Sequence, residues 1–145
     1  MEVRFQGETV ESWSSGGRPE RLVVFLHGSG DSGPGVAEWL HSLGARAMLD
    51  HKTAILFPSA RERPYSLAGG ESSRVWHDRR ELNISAWEDQ EGIARMADSL
   101  NTFISQVCQE FKLDRQKVIL GGFRKTSVPI LTSILSLEYQ SYVEM

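Results

Sequence analysis

The chain has 145 residues, of which 40% are hydrophobic and 24% charged, and its formal net charge at pH 7 is -3. These values suit one compact globular domain, and the slightly acidic balance does not favour nucleic acid as a partner. The N-terminus lacks the pattern of a signal peptide and no apolar run is long enough to span a bilayer, so we expect neither secretion nor a membrane span. A single cysteine, Cys108, excludes an internal disulfide. Its position in an apolar helical stripe predicts burial and fits a reducing cytosol.

The N-terminal half predicts a hairpin, two buried strands and one helix. The segments VRF and TVESW flank QGE and predict an antiparallel hairpin at a sheet edge. Branched apolar residues without polar alternation predict buried parallel strands in RLVVFLHG and KTAILFP. Between these strands we predict a helix in PGVAEWLHSLGARAML, with Pro34 at its entry. Its buried face would hold Val36, Trp39, Leu40, Leu43 and Ala47.

A second, longer helix is predicted between KTAILFP and the next strand signal, QKVILGG. It spans 87–111, and Ser85 with Glu88 would form a capping box at its start. One apolar stripe runs along it: Ile93, Met96, Leu100, Phe103, Ile104, Val107, Cys108 and Phe111. The alternation of strands and helices predicts a doubly wound, mostly parallel α/β sheet. Residues 59–85 form a connection long enough to favour a lid-like functional segment.

The residue pattern changes after Phe123, in RKTSVPILTSILSLEYQSYVEM. Ser127 is a candidate helix cap and Pro129 suits a first turn. The apolar residues that follow predict a short amphipathic helix: Ile130, Leu131, Ile134, Leu135 and Leu137.

A glycine-rich stretch, HGSGDSGPG, follows the first buried strand and contains G-x-G-x-x-G at Gly28, Gly30 and Gly33. A dinucleotide site would also need an acid at the end of the second strand, but that strand ends in LFPSA and Asp50 precedes it. A simple glycine-rich connector is a second interpretation. An oxyanion loop is the interpretation we favour, because glycines let backbone N–H groups approach a reacting carbonyl closely.

Three motifs carry a family resemblance: VVFLHGSGDSGPG, ILFPSARERPYSLAGGESSRVWHDR and RQKVILGGF. Together they resemble the acyl-protein thioesterase and lysophospholipase family, from Leu22 to Phe123. The resemblance implies an α/β-hydrolase fold, a serine nucleophile and no metal or organic cofactor. It also implies S-acylated proteins or small acyl esters as substrates.

The resemblance further implies roles for individual residues. The amide of Ser29, between Gly28 and Gly30, would be an oxyanion donor, and Trp76 and Asp78 would shape the substrate pocket. For Trp76, an anchor of the long connection is an equal alternative. His27 is better interpreted as a hydrogen-bonded structural residue, since the base of a hydrolase fold comes near the end of the domain.

The match stops after Phe123. Similar proteins continue with serine, one residue and two glycines, whereas this chain continues with Arg124, Lys125, Thr126 and Ser127. Arg124 occupies the nucleophile position, and Thr126 would obstruct the tight turn. Residues 125–145 contain no aspartate or histidine, so nothing there would activate Ser127. We therefore predict no catalytic residue.

One junction after Phe123 would explain these losses together. We predict that 1–123 form the N-terminal portion of an incomplete α/β-hydrolase domain and that 124–145 form a divergent tail, as an alternative exon or premature end would produce. The chain would then be an inactive, truncated cytosolic isoform; a non-enzymatic binding or regulatory protein, or an unstable product, is the alternative. The strand in QKVILGG would have an open outer edge, with apolar surface around Ile119, Leu120 and Phe123. Self-association through that edge is expected unless the tail helix folds back over it.

Overall fold

A short hairpin opens the chain, as the sequence predicts. The computed structural model describes residues 2–81, 88–123 and 128–134, together with the backbone of residue 135 and of 142–144. Strands β1 (Arg4–Phe5) and β2 (Glu8–Thr9) pair antiparallel. Gln6 and Gly7 between them have φ values of 50° and 84°, which suits the right-handed twist of a two-residue hairpin. This pair does not join the main sheet; only the following strand, β3 (Glu11–Trp13), does so.

The central sheet has five strands in the order β3-β5-β4-β8-β9. Its core strands β4 (Arg21–Leu26), β5 (Thr53–Phe57) and β8 (Val118–Gly122) lie where the sequence predicts them. β4 pairs parallel with both β5 and β8, and β3 pairs antiparallel with β5 at the edge. Helices cover both faces, so the predicted doubly wound architecture is confirmed.

Helix α1 (Gly33–Ser42) covers one face of the sheet. The side chain of Ser32 accepts a hydrogen bond from the amide of Gly35 at 3.0 Å and caps the helix. Val36 and Ala37 pack in a cluster with three aromatic residues of the sheet: Trp13, Phe25 and Phe57. The predicted apolar face is wrong toward the end of the helix.

That correction concerns three residues of the predicted face. Trp39 is 41% exposed and Leu43 is 63% exposed, and Ala47 is exposed as well. The helix ends at Ser42, so Leu43 follows it and Ala47 lies in a separate 3-10 turn, Ala45–Met48. A helical stripe extrapolated past the end of the helix no longer faces the sheet.

Helix α2 (Gln90–Phe111) covers the opposite face. Its predicted stripe is confirmed, with Met96 partly buried and the other seven residues buried. The predicted start is wrong: the helix begins at Gln90, and the carboxylate of Asp89 caps it by accepting from the amide of Gly92 at 3.0 Å. Glu88 instead lies in an isolated β-bridge with Arg79, and the predicted cap Ser85 falls outside the described residues.

The connection after β5 contains regular structure that the sequence analysis did not predict. Strands β6 (Glu62–Pro64) and β7 (Ser72–Arg74) form an antiparallel hairpin, with a 3-10 turn at Ser66–Ala68. The segment is therefore an ordered hairpin over part of its length.

The tail contributes helix α3 (Val128–Leu135) and strand β9 (Tyr142–Glu144). The side chains of Ile130, Leu131 and Ile134 are buried in the same cluster as Leu120. β9 pairs parallel with β8, with Leu120 opposite Tyr142. The predicted open edge of β8 and uncovered Leu120 are therefore wrong, because the tail supplies a neighbouring strand and a covering helix.

The rest of that predicted surface is partly buried. Ile119 and Phe123 are of intermediate exposure, and the Phe123 ring lies 4.9 Å from the Trp39 ring. Arg124 and Ser127 lie outside the described residues. Among the helices that the structure describes, no stretch combines the length and apolar character of a membrane span.

Candidate oxyanion site

The candidate site lies at the carboxyl ends of β4 and β8. Leu26 and Gly122 are opposite one another in the parallel pairing, and the amide of Phe123 donates to the carbonyl of Leu26 at 2.9 Å. The glycine-rich loop begins at His27, directly after β4. Phe123, the last residue described before 124–127, therefore lies beside the start of this loop.

His27 is fully buried and uses both ring nitrogens for hydrogen bonds. Nε2 lies 3.0 Å from the amide of Ala60, which can only donate. Nε2 must then be the unprotonated nitrogen, and Nδ1 donates to the carbonyl of Gly28 at 2.7 Å. Burial lowers the pKa of His27, and the bond to the Gly28 carbonyl opposes that shift only in part. The interpretation of His27 as a structural residue is confirmed.

Residues 28–31 form a tight turn. The amide of Asp31 donates to the carbonyl of Gly28 at 3.2 Å, and Gly30 has a φ of 83°, which L side chains rarely adopt. The amide of Gly30 is already bonded to the carbonyl of Arg74 at 2.8 Å. The amide of the partly buried Ser29 donates no hydrogen bond to any described residue. The Ser29 amide is thus available to an anionic oxygen.

Gly33, the third glycine of the pattern, serves the contact between helix and strand. A Cβ added to it would lie 1.9 Å from the carbonyl oxygen of Phe57. Its amide donates to Oγ of Ser59 at 2.8 Å, which fixes α1 against the end of β5. Asp50, the acid nearest to β5 in the dinucleotide hypothesis, pairs with Arg21 at 2.8 Å at the amino ends of the strands. It lies at the opposite end of the strands from the loop.

An ion pair that the sequence did not reveal braces this loop. The guanidinium of Arg74 contacts both carboxylate oxygens of Glu8, at 2.7 and 3.0 Å, and also donates to the carbonyl of Ala60 at 2.9 Å. The hydrogen bond from Arg74 holds the pKa of Glu8 below its usual value. Arg74 therefore connects the N-terminal hairpin to the segment that holds His27 and Gly30. These residues are far apart in sequence, so no local motif could have signalled the contact.

Trp76 lies behind the loop and is 1% exposed. Its indole Nε1 donates to the carbonyl of His27 at 2.8 Å, and the two rings are 4.9 Å apart. This is the geometry of an anchor, the second of the two roles considered for Trp76. A direct contact of Trp76 with substrate stays a prediction.

Asp78 is partly buried and accepts two hydrogen bonds from Ser66, from the amide at 2.9 Å and from Oγ at 2.6 Å. Burial by itself raises the pKa of Asp78, but the hydrogen bonds from Ser66 and the Arg79 amide, together with the nearby charge of Arg63, leave the pKa below its usual value. The carboxylate thus holds the 3-10 turn after β6. Its part in a substrate pocket stays a prediction.

Comparison with known families agrees with this arrangement. The Phospholipase/Carboxylesterase family profile matches residues 8–141. The chain belongs to this family, and its fold is that of the α/β-hydrolases. Because the matched range extends past Phe123, the boundary between family domain and tail stays a prediction.

Individual relatives are thioesterases and lysophospholipase-like proteins. Lysophospholipase-like protein 1 of Mus musculus is 34% identical over 108 residues, which cover 74% of this chain and 44% of that protein. Acyl-protein thioesterase 1 of Candida albicans is 30% identical over 127 residues, covering 86% of this chain and 54% of that protein. The crystal structure of Zea mays acyl-protein thioesterase 2 superposes with a TM-score of 0.66 at 25% identity, covering 86% of this chain and 49% of that one. The chain spans about half the length of these relatives.

Proposed function

We propose that this chain is a catalytically silent form of an acyl-protein thioesterase or carboxylesterase. Its substrate class would be S-acylated proteins or small acyl esters, as in the relatives. The observation that carries the proposal is the residue after Phe123: the sequence places Arg124 where similar proteins have serine. A guanidinium stays protonated in proteins and cannot attack an acyl carbonyl.

The contacts around the glycine-rich loop nevertheless support an oxyanion site. The Ser29 amide is free of partners among the described residues, and the turn that holds it is fixed by Gly30 and Arg74. A donor held in place binds an acyl oxygen whether or not a nucleophile is near. This observation favours a second candidate function, a protein that binds acyl groups without cleaving them. The buried Cys108 is compatible with the cytosolic location that we infer for either function.

A fluorophosphonate activity probe tests the proposal, because it labels only an activated serine. We expect no labelling of the 145-residue chain and no hydrolysis of short acyl esters above background. The Ser127→Ala variant is the matched control, since Ser127 is the serine nearest in sequence to the vacated position. Labelling that disappears in Ser127→Ala would overturn the proposal and identify Ser127 as the nucleophile. Hydrolysis that persists in the variant would also overturn it, since another group would then be catalytic.

The second candidate function, binding of acyl groups without hydrolysis, is tested by a separate measurement. A non-hydrolysable acyl thioether analogue should perturb the backbone amide resonance of Ser29 in a titration followed by NMR. The Gly17 amide, in an exposed turn, is the internal control. A perturbation of Ser29 alone would favour the acyl-binding function, whereas no perturbation would leave only the silent hydrolase fold.

A further inference from the structure

A cavity separate from the glycine-rich loop lies between the N-terminal hairpin, the β6–β7 hairpin and the first turns of α2. Its volume is about 450 Å³, which lies within the range of small-molecule sites. Three arginines line it, Arg61, Arg63 and Arg95, against a single acidic residue, Glu62. The cavity wall therefore carries an excess of positive charge.

These arginines have few strong partners elsewhere. Nε of Arg63 is buried and has no hydrogen-bond partner among the described residues, and its Nη1 lies 3.7 Å from the carboxylate of Asp89. Among the described residues, Arg61 donates a hydrogen bond to the carbonyl of Gln6 at 3.4 Å. Arg95 pairs at 3.8 Å with Glu91 in an exposed contact on the helix surface. Because Nε is buried, a ligand in the cavity would contact the exposed part of the Arg63 side chain, which is 36% exposed.

The charge of the lining favours an anion with more than one negative charge. Three guanidinium groups line the cavity against the one carboxylate of Glu62. A phosphate monoester carries about -1.5 to -2 charges near pH 7, whereas a carboxylate carries one. A phosphate group therefore matches the lining more closely than a carboxylate does.

Part of the remaining wall is apolar, formed by Val75, Trp76 and Met96. We propose that this cavity binds the phosphate group of a phosphate monoester, with its organic part against the apolar wall. The arginines supply charge-assisted hydrogen bonds to the phosphate oxygens, which arginine recognises in bidentate geometry. The proposal does not depend on the acyl chemistry of the loop.

The test uses NMR of the full chain labelled with ¹⁵N, which resolves arginine Nε–H groups. The soluble probes are inorganic phosphate and ethyl phosphate, with acetate at equal ionic strength as the comparison anion. Vesicles of phosphatidylcholine, with and without phosphatidic acid, present the same group on a lipid. We expect phosphate and ethyl phosphate, but not acetate, to shift the Arg63 Nε–H resonance with saturation. Equal shifts with acetate would overturn the proposal.

The deciding variant is Arg63→Gln, which should bind phosphate about tenfold more weakly. Arg46→Gln is the matched control, because it removes the same charge from an arginine that lies over the Trp13 ring and does not line the cavity. Unchanged affinity in Arg63→Gln would sink the proposal. If that variant does not fold, Arg95→Gln, at an exposed helix position, should weaken binding about threefold. Unchanged affinity there would likewise sink it.

The two kinds of probe separate the sources of the phosphate. Saturable binding of ethyl phosphate supports a small soluble ester. Binding only to vesicles that contain phosphatidic acid, lost in Arg63→Gln and kept in Arg46→Gln, supports a lipid headgroup. Binding to neither overturns the proposal, and none of these results bears on whether Arg124 has replaced a nucleophile.

Discussion

Nε2 of His27 accepts a hydrogen bond from the amide of Ala60 at 3.0 Å. This contact joins the end of β4 to the segment after β5, and it holds only while the imidazole is neutral. Because the other ring nitrogen donates to the Gly28 carbonyl, a proton added at Nε2 would break the link and place a charge in a buried position. The geometry of the loop is thereby coupled to pH.

The first prediction concerns stability against pH. Burial lowers the pKa of His27 in the folded chain, whereas in the unfolded chain it is about 6.5. Below that pH the unfolded state binds more protons, so the free energy of unfolding should fall as pH drops from about 6.5 to 5. Thermal unfolding across this range measures it. His27→Gln should flatten the dependence, and His51→Gln, at an exposed site, should not; identical slopes in all three proteins would contradict the assignment.

The second prediction concerns the close packing at Gly33. Gly33→Ala would put a methyl group 1.9 Å from the backbone oxygen of Phe57, which cannot move without disturbing β5. We expect a loss of about 2 to 3 kcal/mol in the free energy of unfolding. Gly17→Ala is the matched control, because a Cβ there meets no described atom within 4 Å. Urea unfolding of both variants measures their free energies of unfolding. Equal stability of the two variants would contradict the prediction, because α1 would then be able to move away from β5 at no cost.

The third prediction concerns the pair of Glu8 and Arg74. Both side chains are partly exposed, at 43% and 29%, so their coupling should be about 0.5 to 1 kcal/mol in a double-mutant cycle of Glu8→Ala and Arg74→Ala. Arg74→Ala alone should cost more than Glu8→Ala, since Arg74 also donates to the Ala60 carbonyl. Chemical denaturation provides all four free energies. The reverse order of the single variants would show that the Ala60 contact contributes nothing.

Local patterns were sufficient for the parts of the fold that rest on periodicity. Branched apolar runs located β4, β5 and β8, and the stripe from Ile93 to Phe111 located the buried face of α2. Local patterns failed where the boundary of an element depends on a competing cap residue or on a contact distant in sequence. Asp89 caps α2 in place of Ser85, and α1 ends before Leu43.

The candidate site, too, could be predicted from the sequence only in part. The glycine pattern marked the loop, and the loop turn does use the positive φ of Gly30. The bracing of that turn comes from Glu8, Ala60 and Arg74, which three separate segments contribute. Pairing of β9 with β8 was also missed, because a three-residue strand has no periodicity to detect and its register depends on tertiary contacts.

The fourth prediction is that Arg124→Ser alone does not restore activity. A serine hydroxyl keeps its proton near neutral pH without a general base, and residues 125–145 contain no histidine. Thr126 also occupies a position where similar proteins have glycine. Fluorophosphonate labelling of Arg124→Ser and of the double variant Arg124→Ser, Thr126→Gly should both remain at background. Labelling of the double variant alone would mean that the turn, and not the missing base, is limiting.

The fifth prediction asks whether the tail is part of the core. Leu131 is 1% exposed and lies in the same cluster as Leu120, whereas Leu43 is 63% exposed. Leu131→Ala should therefore cost about 2 to 4 kcal/mol by leaving a cavity, and Leu43→Ala, the same chemical change, should stay within about 0.5 kcal/mol. By loosening α3 from β8, Leu131→Ala should also expose apolar surface and promote self-association, as measured by sedimentation velocity. If the two variants are equally stable and sediment alike, α3 does not complete the core. The surface around β8 would then be open, as the sequence analysis predicts.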